Sequence, residues 1–275
     1  MKHQEIESPA ELQHMIKCFW YTCVDFVETM RIFEILPDGN TEIIFLFGDA
    51  CSIATPNGLQ LLSSPFIMGL LNQPAILHAQ SRVEVIGIRC FPWTVFDLLG
   101  LKPGLEVIRP IKHPIVGLQP ILQHLIEAGK ITEALNELKQ YQWGANTNIG
   151  ADNGMLVKAG NYMRKANGTL PVSKVAAAAH ATVRTLERNF KQSAGYTVKD
   201  VSGVMRFEQV RNRLFFYPNA KLAALAQELG YADQAHLSKE FKRYTGTTPA
   251  AFAKKVKTHK KIITSDFVAF VQAQS

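Results

Sequence analysis

Two hydrophobic periodicities divide the chain. From about Phe19 to Phe96, short apolar runs alternate with turn residues: Arg31-Ile-Phe-Glu-Ile-Leu36 and Thr41-Glu-Ile-Ile-Phe-Leu-Phe47 flank Pro37-Asp-Gly-Asn40, and Arg82-Val-Glu-Val-Ile-Gly-Ile-Arg89 follows. Proline presets φ, while Gly and Asn accept the positive φ of a tight turn, so the first two runs are expected to pair as a hairpin. Pro56-Asn-Gly58 and Asn72-Gln-Pro74 punctuate the same region, a spacing expected of a small barrel or sandwich. From Ile115 the period lengthens. Ile121, Leu122, Leu125 and Ile126, then Ile131, Ala134, Leu135 and Leu138, recur at three and four with a break at Gly129, which predicts a helix pair. Its apolar stripe is expected to pack on its own domain, with dimerisation as the alternative use. Trp143 to Gly154 is polar and rich in Gly and Asn and reads as a linker; helical patterns continue beyond it to about Lys257.

The helical half contains an internal repeat. Val175-Ala176 and Leu225-Ala226 each open a segment that ends in Phe-Lys-x-x-x-Gly, at Phe190 to Gly195 and at Phe241 to Gly246. The second copy carries one additional residue in its turn. Each copy places a Leu (Leu186, Leu237) one helical turn before the Phe, on the same face. In the second copy Leu222, Leu225, Ala226 and Leu229 form a stripe, Gly230 can end a helix in the left-handed region, and Asp233 can cap the next one. With Leu237, Phe241 and Tyr244 turned inward, Gln234, Ala235, Ser238, Lys239 and Lys242 are left facing solvent. In the first copy Thr182 is the expected cap, Leu186 and Phe190 face inward, and Arg184, Glu187, Arg188 and Lys191 remain outside. Short polar and basic side chains on an exposed helix face suit the reading of base edges in a major groove.

Charge sharpens the division. Of the 275 residues, 1–150 hold 10 Lys and Arg against 15 Asp and Glu, whereas 151–275 hold 20 against 8, so net charges of −5 and +12 lie behind the overall +7. A concentrated positive field attracts polyanions, making nucleic acid or an anionic membrane the leading partner of the second half. The composition, 47% hydrophobic and 19% charged, excludes wholesale disorder and suggests two domains. No apolar run approaches the roughly 18 residues of a membrane span, and Met1 to Met15 mixes charges into what a signal peptide keeps apolar, so a cytoplasmic protein without membrane partner is expected.

The run from Leu222 through Gly230-Tyr-Ala-Asp-Gln-Ala-His-Leu-Ser-Lys-Glu-Phe-Lys-Arg-Tyr-Thr-Gly-Thr-Thr-Pro249 resembles the signature of the AraC/XylS family of bacterial transcription regulators, and the resemblance extends from about Met155 to Lys257. It implies two helix–turn–helix units joined by a long helix near Met205 to Phe216, inserting recognition helices into successive major-groove segments within a DNA turn of about 34 Å. By position it implies base-facing roles for Arg184, Glu187, Arg188, Gln234, Ala235, Ser238 and Lys239. Lys191 and Lys242 are expected on phosphates. Arg188 suits guanine O6 and N7, Gln234 suits adenine, and Glu187 suits cytosine N4. Two positions depart from the family pattern: His180 stands where the turn usually carries Gly, and Leu237 where Phe is commoner. Leu36 to Gly48 and Gly87 to Trp93 resemble, more faintly, a small β domain attached to some of these regulators, which binds an effector or mediates dimerisation.

The expected architecture is therefore α+β with two domains. A mostly-β barrel or sandwich with its helix pair occupies 1–143, a linker 144–154, the twin helix–turn–helix domain 155–257, and a basic tail with a terminal strand at Asp266 to Gln272 occupies 258–275. Expected partners are double-stranded DNA, a small-molecule effector and a second copy of the chain. No cofactor or metal is expected: the nearest cluster, His14, Cys18 and Cys23, matches no zinc spacing, and the four cysteines read as buried thiols. The chain also lacks the sequence signatures of hydrolases, zinc proteases, phosphate loops and dinucleotide sites, so no enzyme is expected. The alternative is a metabolite-binding or enzymatic N-terminal domain for which DNA targeting is secondary.

Overall fold

The computed structural model describes residues 2–25, 31–102, 104, 106–143, 151–258 and 270–272. The strands are β1 (Lys2–Glu7), β2 (Ile16–Asp25), β3 (Arg31–Ile35), β4 (Thr41–Gly48), β5 (Cys51–Thr55), β6 (Gly58–Leu61), β7 (Phe66–Met68), β8 (Ala75–Ala79), β9 (Arg82–Cys90), β10 (Ile108–Pro110) and β11 (Phe270–Gln272). They form a six-stranded sheet in the order β1-β2-β9-β4-β7-β10 and a five-stranded sheet in the order β11-β3-β8-β5-β6, every pairing antiparallel. A short helix α1 (Val95–Leu98) follows β9, and α2 (Gln119–Glu127) and α3 (Ile131–Gln140) follow β10.

The six-stranded sheet is covered on both faces, which is why its central strands read as unbroken apolar runs rather than as alternation. Ile43 and Phe45 of β4 and Ile86 and Ile88 of β9 pack toward Leu122, Ile126, Leu135 and Leu138 of the helix pair. Ile44 of β4 and Val83 and Val85 of β9 face Phe33, Ile53 and Leu77 of the other sheet. At the cross-strand pair Trp20 and Gly87 the indole occupies the space of the missing side chain; a Cβ on Gly87 would lie 2.2 Å from Trp20 Cε2. The helix pair breaks at Gly129 with φ +71° and packs on its own domain, and the four cysteines are free and buried.

The expected hairpin does not form. β3 pairs with β8 and β4 pairs with β9 and β7, so Pro37 to Asn40 carries the chain from one sheet to the other. Phe33 and Ile35 reach the inter-sheet core, whereas Leu36 turns away from it into the core of the C-terminal helices. Burial, not turn chemistry, thus decided the pairing.

Those helices are α4 (Ala151–Lys165), α5 (Val172–Ala178), α6 (Val183–Ala194), α7 (Val198–Phe216), α8 (Leu222–Glu228), α9 (Gln234–Thr245) and α10 (Pro249–Thr258). α4 begins inside the stretch read as linker; residues 144–150 lie outside the described residues. The helices surround Leu186, Phe190, Val201, Phe207, Leu237 and Phe241, and Leu36, Leu70, Phe91 and Trp93 of the β domain enter the same core. Trp93 is 1% exposed, stacked on Phe91 at 5.4 Å and tilted against Phe190 at 5.9 Å. Gly160 of α4 provides its seat, because a Cβ there would stand 2.0 Å from Trp93 Cζ2. β11 adds antiparallel to β3, within the terminal stretch read as a strand, whose first residues lie outside the described ones.

Candidate nucleic-acid interface

Both helix–turn–helix units are built as their sequences anticipate. Thr182 accepts a hydrogen bond from Thr185 N and Asp233 accepts one from His236 N, so each second helix starts on a capped turn. Both end at a left-handed glycine, Gly195 with φ +76° and Gly246 with φ +69°. Leu186, Phe190, Leu237, Phe241 and Tyr244 are buried, which fixes the opposite arc of α6 and α9 toward solvent. The two turns differ at one position. Gly230 takes φ +70° without penalty, whereas His180 is held at φ +55°, a conformation that costs a non-glycine residue about 1–2 kcal/mol. α7 joins the units and is started by a reciprocal capping box between Thr197 and Asp200.

Arg184, Arg188 and Lys191 of α6 and Gln234, Ala235, Lys239 and Lys242 of α9 are exposed, and Ser238 is half-buried on the same arc. Among the described residues none of the five cations in this set forms an ion pair; Arg188 makes only a 3.4 Å contact from Nε to Asn189 Oδ1. Elsewhere the protein does pair its arginines: Arg82, Arg89, Arg206, Arg211 and Arg213 all meet carboxylates. Cations left without internal ion pairs on two capped helices are available to phosphates and base edges. Glu187 stands apart. It is half-buried and its Oε2 accepts from Val198 N at 3.2 Å, so its carboxylate holds the start of α7.

A buried polar network, for which the sequence offers no periodic or motif signal, joins this domain to the β sheets. Arg211 of α7 donates through Nη1 to Pro37 O at 2.7 Å and lies 3.8 Å from Glu208. Beyond the turn, Arg89 bonds Glu42 at 2.7 Å and stands 3.9 Å from Asp38. Burial works to raise the Asp38 carboxyl, but Arg89, Asn40 and Arg211 outweigh it and hold the pKa low. Burial raises the pKa of Glu208 and of Glu42, against the pull of Arg211 and of Arg89 respectively. The backbone of this turn closes onto α7 at Gly39, whose missing side chain would meet Glu208, Met205 and Val204 at 3.6–3.9 Å.

Two cavities lie on either side of the Pro37–Asn40 turn. One, between the sheets, measures about 50 Å³ and has apolar walls such as Trp20, Phe66 and Leu77 around Asp38, Glu42 and Arg89. The other, between the domains, measures about 220 Å³ and is mostly polar. No group of three or more His, Cys, Asp or Glu among the described residues is arranged to hold a metal ion.

Residues 175–255 match a family described as a helix-turn-helix domain, and residues 4–105 match a domain of unknown function, DUF6597. No curated protein matches the chain. Among solved structures it is similar to ToxT from Vibrio cholerae O395, with 12% identity over 86% of this chain and 98% of that one and a TM-score of 0.44. It is also similar to an AraC-type transcriptional regulator from Chromobacterium violaceum, at 19% identity over 39% and 96% of the two chains with a TM-score of 0.36. The C-terminal domain of AraT from Geobacillus stearothermophilus shows 21% identity over 38% and 88% with a TM-score of 0.35.

Proposed function

We propose that this chain, a DNA-binding transcription regulator of the AraC/XylS type, reads its operator with α6 and α9 in adjacent major-groove segments and is controlled through its β domain. Arg184 and Arg188 from the first unit and Gln234, Ala235, Ser238 and Lys239 from the second meet base edges; Lys191 and Lys242 hold phosphates. Glu187 reads cytosine only where DNA draws it away from Val198. The single observation that carries this reading is the set of five cations without internal ion pairs on two capped, outward-facing helices. The N-terminal half contributes regulation rather than catalysis, by binding a small effector or a second copy of the chain. No helix among the described residues is long and apolar enough to cross a membrane, and we place the protein in the cytoplasm with its DNA.

Selection of genomic fragments by the purified protein, followed by anisotropy titration of the enriched site against scrambled DNA, tests the proposal. One motif with two blocks half a turn apart, bound at least ~1000-fold more tightly than scrambled DNA, is the expected result. Affinity should fall steeply with salt as counterions are released. Equal binding to all fragments across the salt series would overturn sequence-specific reading.

A further inference from the structure

The regulatory reading leaves open where an effector binds and what it is. The inter-sheet cavity is too small to answer: its volume of about 50 Å³ corresponds to roughly three to five waters at ~10–15 Å³ each. The interdomain cavity, at about 220 Å³, exceeds the ~150 Å³ that accommodates benzene and by proportion takes roughly nine heavy atoms.

Its lining is short of partners in a complementary way. Arg164 of α4 is exposed and stacks on Phe91 at 4.3 Å, and among the described residues that is its sole side-chain interaction, so its guanidinium donors have no acceptor from the protein. The cost of burial accordingly lowers its pKa with no carboxylate to offset it. Glu208 of α7 faces the same space with no hydrogen-bond donor among the described residues, held only by the 3.8 Å pair with Arg211. Lys17 of β2 adds a second cation from the β domain, Asp38 and Asn40 of the turn add a second carboxylate and an amide, and the amides of Asn167 and Gln209 complete the polar wall. The cleft thus gathers two cations, Arg164 and Lys17, that form no ion pair among the described residues, and two carboxylates, Asp38 and Glu208, the latter held only by its long contact to Arg211, an arrangement that suits a ligand carrying both charges.

We infer that this cleft binds a free α-amino acid. Its carboxylate lies against Arg164 and Lys17, its ammonium against Glu208, and its side chain, of about four heavy atoms, against Phe91 and Met205. Charge-assisted pairs of this kind are the strong hydrogen bonds of proteins, and both here form in a partly desolvated site. The ligand touches β2, α4 and α7 together and lies against the Pro37–Asn40 turn that Arg211 grips. Occupancy therefore holds the two domains in one arrangement and sets the position of the helix that joins the recognition units. Only this last consequence rests on the regulatory reading above.

Calorimetric titration of the full-length protein, without DNA, with each of the twenty common L-amino acids tests the inference. Each is compared with its deaminated carboxylic acid and its decarboxylated amine. At least one amino acid should bind at roughly 1 mM or below, with both single-charge analogues weaker by at least about tenfold. Arg164→Gln and Glu208→Gln should each cost at least about tenfold in that affinity while thermal unfolding of the free protein remains cooperative. Arg164 lies at the surface, so its variant keeps the test valid even if Glu208→Gln unfolds. The inference is overturned if no amino acid binds, if a single-charge analogue binds as tightly, or if Arg164→Gln binds like the parent. Repeating the operator titration with the bound amino acid tests regulation separately, because the calorimetric result stands whatever the DNA does.

Discussion

The shared core makes a prediction whose sign is opposite for two glycines of one helix. Both Gly154 and Gly160 lie in α4, where replacing Gly by Ala gains up to about 1 kcal/mol of helix propensity. At Gly154 nothing stands within 4 Å of the new Cβ, so Gly154→Ala should stabilise the protein by a few tenths to about 1 kcal/mol, less than the full gain because it sits in the first turn. At Gly160 the new Cβ would lie 2.0 Å from Trp93 Cζ2 and 2.3 Å from Cε2. The indole cannot step aside easily, since Phe91 stacks on one face and Phe190 leans against it. Overpacking of a filled core costs about 1–3 kcal/mol, and a contact this short belongs at the upper end. After subtraction of the propensity gain, Gly160→Ala should destabilise by about 1–2 kcal/mol. Urea unfolding followed by tryptophan fluorescence and far-UV circular dichroism measures both variants. Because the strain falls between the domains, the two probes should separate in Gly160→Ala and coincide in the parent and in Gly154→Ala. Stabilisation by Gly160→Ala would refute the argument that Trp93 is seated on α4 and that the domains share a core.

Other expectations follow from single residues. Arg188→Ala and Lys239→Ala should each cost about 1–3 kcal/mol on the operator and less on scrambled DNA; equal losses would remove their base-reading role. Lys242→Ala should instead weaken both DNAs alike and reduce the salt slope by about one, as expected of a phosphate contact. His180→Gly should stabilise by about 0.5–1 kcal/mol, the relief of left-handed strain less the entropy of glycine, and a loss in urea unfolding would show that the imidazole makes compensating contacts. Asp38 has a folded pKa held below its unfolded value of about 3.9, so its contribution is complete above that pH and disappears as pH falls through the folded value. Asp38→Asn should accordingly be the less stable protein at pH 7, with the gap in melting temperature closing below about pH 4; a gap constant with pH would exclude the ionic origin.

Local chemistry made the C-terminal domain legible. The repeat, the caps at Thr182 and Asp233, the left-handed stops at Gly195, Gly230 and Gly246, and the inward Leu and Phe positions all depend on contacts within a few residues, where spacing alone determines which side chains meet. Even the strained His180 is legible, since the turn requires positive φ whatever residue stands there. The β domain was legible as strands but not as pairings. Pro37-Asp-Gly-Asn40 has the composition of a hairpin turn, yet it serves as a bend between sheets, because Phe33, Ile35 and Leu36 are buried in different cores. Glu187 and Ser238 looked alike as outward positions on a helical wheel, and only the approach of α7 gave Glu187 a backbone partner. The interdomain features are a product of tertiary structure throughout. Trp93 on Gly160, Arg211 on Pro37 O, and the lining of one cleft by both Arg164 and Glu208 join residues 67 to 174 positions apart or lying on helices whose relative placement no periodicity encodes. A sequence pattern records which face of an element is apolar; which other face it meets is decided when all the apolar surfaces are buried together.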